Sequence, residues 1–184
     1  GGNNLTIYDN DLSMSYYNPS LLNNSMNDNI ALNYSLFMSG INYGYLSYAK
    51  EVPKYGMFAA GLNYINYGRF EETDETGLVI GKFSAAEYNL NLIWAKPVLD
   101  SVFTIGANFK TIFSEMYYFY SSAVMLDAGI TYHNKNSLLE AALVIKNFGV
   151  QLKPYTIGNR EPIPFDIQLG LTKREAEAYL ALYN

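Results

Sequence analysis

The chain has 184 residues, a formal net charge of −5 and no cysteine, and its aromatic and charged fractions are both 16%. That length suits one domain with its own core; the acidic balance argues against a nucleic-acid binder, which carries a basic face; and without cysteine there are no disulfides, thiolate metal sites or thiol nucleophiles. Charged residues fall well below the ~25% of an average soluble domain, so little charge is left to cover a wet surface.

Asn, Gly, Ser or a charge breaks every apolar run within about ten positions, short of the roughly 18 that a membrane helix needs, so a helical membrane protein is excluded. The N-terminus lacks the basic, apolar and small-residue series of a signal peptide, and a Gly-Gly start without Met reads as a processed or trimmed chain.

Residues 1–27 come first and show no strand period. They nevertheless hold Leu5, Ile7, Tyr8, Leu12, Met14, Tyr16, Tyr17, Leu21 and Leu22, too apolar a set for a disordered tail. Such a segment needs a partner surface. Within it "SMSYYNPSLLNN" places a turn at Asn18-Pro19, because proline fixes its own backbone and holds the preceding residue extended.

Eight strands follow, at 29–38, 41–50, 56–69, 84–96, 101–113, 118–133, 137–148 and 163–173. Phe58, Ala60, Leu62 and Tyr64 alternate with Ala59, Gly61, Asn63 and Ile65; Tyr88, Leu90, Leu92 and Trp94 alternate with Asn89, Asn91 and Ile93. Val124, Leu126, Ala128, Ile130 and Tyr132 share one face against Asp127, Gly129 and Thr131, and Phe165, Ile167, Leu169 and Leu171 stand against Asp166, Gln168, Gly170 and Thr172. This is the period of two of a strand with unlike faces. Most of these strands exceed the five or six residues usual in globular sheets, and tilted strands of about 9 to 11 residues cross a bilayer.

The connections "KEVPKY", "PVLDS" and "HNKNS" are short turns, while "EETDETGLVIGKF" and "GVQLKPYTIGNREPIP" make long loops at 69–84 and 148–162. Short turns on one side and long loops on the other are the layout of outer-membrane barrels, although the short "MSGI" breaks the regularity. Periodicity alone does not say which face points outward. The polar face, richer in Asn, Ser, Gly, Thr and Gln than in Lys and Glu, suits a lumen better than a solvated surface. Tyr43, Tyr45, Tyr48, Tyr64, Tyr67, Tyr117, Tyr118, Tyr120 and Tyr132 cluster near strand ends as an aromatic girdle would, or simply reflect the strand propensity of aromatics.

The opening "GGNNLTIYDNDLSMSYYNPSLL" resembles the N-terminal signature of the FadL-like outer-membrane barrels: a Gly-Gly pair, an Asp-rich turn and an aromatic-Asn-Pro-x-x-Leu element. Gly1, Gly2, Asp9, Asn10, Asp11, Tyr17, Asn18, Pro19 and Leu21 fall on that pattern. "FAAGLNYINYGRFEETDETG" and "KNFGVQLKPYTIGNREPIPFDIQLGLTKR" narrow the likeness to the PorV-like branch of the Bacteroidetes type IX secretion system, over about residues 1 to 174. The resemblance implies an all-β, antiparallel transmembrane β-barrel of FadL-like type. Residues 1–27 would be a plug or periplasmic segment, 28–174 barrel wall, and 175–184 a tail outside the family pattern. Relatives have roughly fourteen strands, so the chain reads as a truncated half-barrel; a closed eight-stranded barrel would fill its lumen with side chains and leave no room for a plug.

The implied function is a non-enzymatic component of type IX secretion in the bacterial outer membrane, aiding translocation or cell-surface attachment of cargo. Its partners would be outer-membrane lipid and the secretion proteins PorV, PorU and PorZ, with no nucleic acid and no cofactor. The alternative is a FadL-type channel for hydrophobic small molecules, in which Gly61, Gly106 and Gly129 bend a strand; they equally suit close approach of the plug. A soluble lipocalin-like binder would need the apolar face inside. The loop with Pro154, Tyr155, Asn159, Arg160, Pro162 and Pro164 is a candidate partner surface, stiffened by its prolines, or a plain connection. His133 reads as a surface imidazole, Glu71, Glu72, Asp74 and Glu75 as a solvated loop rather than a Ca²⁺ site, and Asp127 and Asp166 as lumen residues. The Asn-x-Ser/Thr triplets at Asn4, Asn23 and Asn33 read as chance sequons in an Asn-rich chain.

Overall fold

The computed structural model describes residues 5–6, 10–37, 40–133, 139–155 and 160–173. They form one antiparallel sheet of eight strands in which each strand pairs with the next in sequence. The strands are β1 (Ile30–Leu36), β2 (Asn42–Val52), β3 (Gly56–Thr73), β4 (Val79–Val98), β5 (Phe103–Met116), β6 (Phe119–His133), β7 (Leu139–Lys153) and β8 (Asp166–Lys173). Among the described residues no ladder joins β8 back to β1, so the sheet is open and these two are its edges. Ahead of it lie three short 3-10 helices, Leu12–Tyr16, Pro19–Leu21 and Asn24–Met26.

All eight expected strands are present, but two expected loops are shorter. Residues 69–84 are mostly ladder: Phe70 pairs with Phe83 and Glu71 with Lys82, closing on a turn at 74–78. The acidic run suggests a loop in sequence because the cation opposite it is invisible there; across the ladder the Phe70 and Phe83 rings stack at 5.3 Å and Lys82 reaches Glu71 at 3.8 Å. Likewise β7 continues to Lys153, so the loop expected over 148–162 begins at Pro154.

The two faces differ in both chemistry and exposure. One bears Tyr48, Phe58, Leu62, Leu90, Leu92, Phe109, Leu126, Phe148, Leu169 and Leu171, all open to the surroundings, with Leu92 61%, Leu169 79% and Leu171 77% exposed. The other carries buried Ser47, Asn63, Asn89, Asn91, Asn108, Lys110, Asp127 and Thr131. The opening segment lies against this second, covered face.

Apolar packing holds one part of the segment down. Leu12, Leu22 and Met26 are buried among Ala49, Met57, Ala59, Ile93 and Ala95, where three alanines on β2, β3 and β4 leave room for them. Burying each such side chain stabilises by ~1.5–3 kcal/mol. Asp28 ends the segment: its carboxylate accepts from the Lys50 ammonium at 2.8 Å and the Tyr48 hydroxyl at 2.7 Å, which hold its pKa below the ordinary value, Lys50 most of all.

Candidate functional site on the covered face

Three Asx turns shape the segment. Asp11, Asn18 and Asn23 each accept, through the side chain, the backbone N–H two residues on, from Ser13, Ser20 and Ser25. Each caps one of the 3-10 helices and satisfies a donor that would otherwise be orphaned. Asn18 has the extended backbone that the following proline imposes, φ −138° and ψ 107°. The spacing Asx-x-Ser, repeated at 11–13, 18–20 and 23–25, is the local signal that identifies all three turns.

Asn18 is the segment's central contact with the sheet, and it is fully buried. Its Nδ2 donates to the Leu5 carbonyl at 2.8 Å and to Thr131 Oγ1 at 3.0 Å, while its Oδ1 accepts from the Ser20 amide at 3.0 Å and the Ser20 hydroxyl at 2.6 Å. Ser20 and Thr131 hydroxyls meet at 2.6 Å. The close approach depends on Gly106 and Gly129, which oppose each other on β5 and β6. A Cβ on Gly106 would lie 2.4 Å from the Pro19 carbonyl carbon, and one on Gly129 would lie 2.4 Å from Asn18 Oδ1. Gly170 on β8 repeats the device, with Thr6 Cγ2 2.7 Å from its would-be Cβ. These glycines are a seat for the segment; Gly61 instead has ordinary contacts with Ser47 and Tyr45.

Beside the seat lies a buried ion pair built by a β-bulge. Leu126 pairs with Phe148 and Ala128 with Ile145, so the single Asp127 faces both Lys146 and Asn147. Asn147 takes a left-handed φ of 60°, a conformation asparagine tolerates. Its freed amide donates to Asp127 Oδ1 at 2.8 Å. Lys110 Nζ reaches Asp127 at 2.8 Å and Asn147 Oδ1 at 2.6 Å, with both ionic side chains buried. Neutralised this way, each charge escapes most of the penalty of isolation. Lys146 sits 5.6 Å from the Tyr17 ring centroid, tying the segment to the same bulge.

No family model, curated protein or solved structure matches this chain.

Of the expected signature residues, Gly1, Gly2 and Asp9 lie outside the described residues. Asn10 and Asp11 are exposed at the start of the first 3-10 helix, and Tyr17, Asn18, Pro19 and Leu21 meet the sheet. Asn159 of the candidate partner loop also lies outside the described residues. Three described residues of that loop are tied to the sheet: the Tyr155 hydroxyl donates to Ser114 Oγ, the Glu161 amide to Gln151 Oε1 at 2.8 Å, and Asn147 Nδ2 to the Pro164 carbonyl at 3.2 Å. Arg160 and Pro162 are exposed.

Other expectations need correction. His133 is not a surface imidazole: its Nδ1 lies 2.5 Å from Oε1 of Glu140, its buried partner across the β6–β7 ladder. The four acidic residues are exposed or partly exposed, as a solvated segment would be, but they are not one loop: Glu71 and Glu72 stand on β3, Glu71 reaching Lys82 at 3.8 Å and Glu72 accepting from the Tyr117 hydroxyl at 3.2 Å, while Asp74 and Glu75 lie in the turn that Asp74 closes. Tyr43 and Tyr45 point to the covered face rather than into a girdle, Tyr43 donating to Asn63 Oδ1 at 3.0 Å and Tyr45 being buried. Asp127 is buried and paired, whereas Asp166 is exposed at the start of β8. Residues missed in sequence, Thr131, Lys110 and Asn147, owe their importance to register across strands.

Proposed function

We propose that this chain forms part of the wall of an outer-membrane β-barrel, with the opening segment expected over residues 1–27 plugging its lumen, and that it serves type IX protein secretion as a PorQ-like, non-enzymatic subunit. The observation that carries the membrane reading is the inversion of the sheet: apolar side chains are exposed on the face opposite the segment, and polar ones are buried beneath it. Monomeric soluble proteins rarely expose contiguous apolar patches beyond a few hundred Å². Here the open face is apolar from Phe103 to Phe113 on β5, from Tyr132 back to Val124 on β6 and from Trp94 back to Ala86 on β4, broken only by Thr111. Runs of about 9 to 11 residues match a tilted bilayer crossing. Lys50 and Lys96 bound this band near one end, and Glu115 near the other.

An open sheet edge has no hydrogen-bond partner in hydrocarbon, so β1 and β8 would each pair with a further strand. Closure on eight strands alone would leave no room for the segment. The secretion role rests on the family resemblance, which implies work with PorV, PorU and PorZ at the cell surface. A channel for hydrophobic molecules fits less well, because Asn89, Asn91, Asn108 and Thr131 give the covered face a polar character.

The test is envelope fractionation of the protein expressed with a secretion signal, followed by affinity purification in mild detergent. Outer-membrane recovery with heat-modifiable gel mobility and retained PorV or PorU supports the reading. Soluble recovery without detergent contradicts the membrane half, and a membrane protein that retains neither partner contradicts the secretion half.

A further inference from the structure

A cavity of about 500 Å³ lies on the covered face between the opening segment, strands β4 to β7 and loop residues 161–164. Ligand cavities commonly measure ~300–1,000 Å³. Its walls are of two kinds. Ile112, Met125 and Pro162 give an apolar sleeve, and Glu87, Asn89 and Glu161 add acceptor groups.

The charges inside are unequal. Lys110 lines the cavity, but Asp127 and Asn147 occupy its ammonium. Glu87 makes no side-chain hydrogen bond or ion pair with any described residue, and of Glu161 only the backbone amide is engaged. Asn89 donates to the Tyr16 hydroxyl at 3.3 Å, while its buried Oδ1 accepts from nothing among the described residues. The nearby cations do not enter: Arg160 is not part of the lining, and Lys146 lies over Tyr17. The cavity therefore carries spare negative charge and spare acceptors beside an apolar wall. Its complement is a ligand with an apolar stem and a cationic, hydrogen-donating head.

We propose that this cavity receives a basic side chain, lysine or arginine, of an extended partner polypeptide, with its stem along Ile112 and Met125 and its head on Glu87. The choice of a polypeptide rests on the secretion reading; the choice of a cation rests on the cavity alone. Glu87 is placed by β4, whose register with β5 sets it opposite Ser114. Tyr16 holds the segment side of the wall through Asn89.

The experiment uses the full chain in detergent micelles and two uncharged-backbone probes, N-acetyl-lysine methylamide and its norleucine analogue, titrated by calorimetry at low ionic strength. A charge-assisted contact predicts that the lysine probe binds about tenfold more tightly. In Glu87→Gln that preference collapses, while heat-modifiable mobility stays normal. Ala123→Trp, which fills the cavity, abolishes binding of both probes. Equal affinity for the two probes, or an undiminished preference in Glu87→Gln, overturns the proposal. If the protein is recovered in the outer membrane with PorV or PorU and these titrations fail, the cavity assignment falls alone; soluble recovery, or a membrane protein that retains neither partner, overturns the secretion reading and with it the choice of a polypeptide.

Discussion

At Gly106 and Gly129 a single methyl group decides whether the segment can sit. Gly106→Ala forces the Pro19–Ser20 backbone away from β5, at a cost of ~1–3 kcal/mol for overpacking a tight contact. Limited proteolysis in detergent should then cut within residues 10–26 of the variant, while Gly44→Ala, whose new Cβ would have an ordinary 3.6 Å contact with Tyr34, remains resistant like the parent. Equal resistance of Gly106→Ala would show that the glycines are not the seat. Tyr16 offers a titration of the same contact. Burial first, and then Tyr43, push its phenol up to about 12. A raised phenol contributes stability that is complete below the ordinary value near 10 and disappears as pH rises through the folded value. Absorbance titration should show one fewer late-ionising tyrosine in Tyr16→Phe than in the parent. The Asn18-Pro19 turn was legible in sequence because proline acts locally, and Gly106 and Gly129 were flagged as either bends or approach points. Only their pairing across β5 and β6 selects the second.

Among the elements, the β3–β4 hairpin and the β6–β7 bulge carry the contacts least visible in a linear chain. Asp74 closes the hairpin turn. Its carboxylate accepts from the Thr76 hydroxyl at 2.7 Å and the Leu78 amide at 2.9 Å, which hold its pKa below the ordinary carboxylate value. The stability this adds is present above the unfolded pKa near 3.8 and is lost as pH falls through the depressed folded value. Amide exchange at Leu78 should accordingly be faster in Asp74→Ala than in the parent at neutral pH, and the two should converge in strong acid. At the bulge, Lys110→Met leaves Asp127 buried without its cation, a loss of ~3–5 kcal/mol in melting experiments, and Lys110→Met/Asp127→Leu should recover much of it. A double variant no more stable than the single one would contradict the ion-pair account. Strand alternation from Val124 to Tyr132 was legible from residue order, whereas Asp127 meeting Lys110 and Asn147 depends on a register shift that no local pattern encodes. For the same reason "EETDETGLVIGKF" resembled a loop, since its stabilising partners face each other only after the chain folds back.

For the molecule as a whole, the decisive feature is which face is bare. Periodicity identified two unlike faces on each strand, and the scarcity of Lys and Glu on the polar one suggested a lumen; neither set the position of the opening segment, which determines what is covered. If the bare face meets hydrocarbon, a charge at its centre is costly. Leu92→Arg should lower folded yield in bilayers by ~2–4 kcal/mol, and Arg near the band's edge at Val98 by ~0–1 kcal/mol. A chain without cysteine permits a more direct measurement. Single cysteines at Leu90, Asn91 and Leu92, spin-labelled in reconstituted bilayers, report collisions with oxygen, which concentrates in lipid, and with a water-soluble nickel chelate. Positions 90 and 92 should favour oxygen and position 91 should not, giving a period of two with its lipid maxima on the exposed apolar residues. A nickel preference at 90 and 92 equal to or above that at 91 would place water against the apolar face and contradict the membrane account.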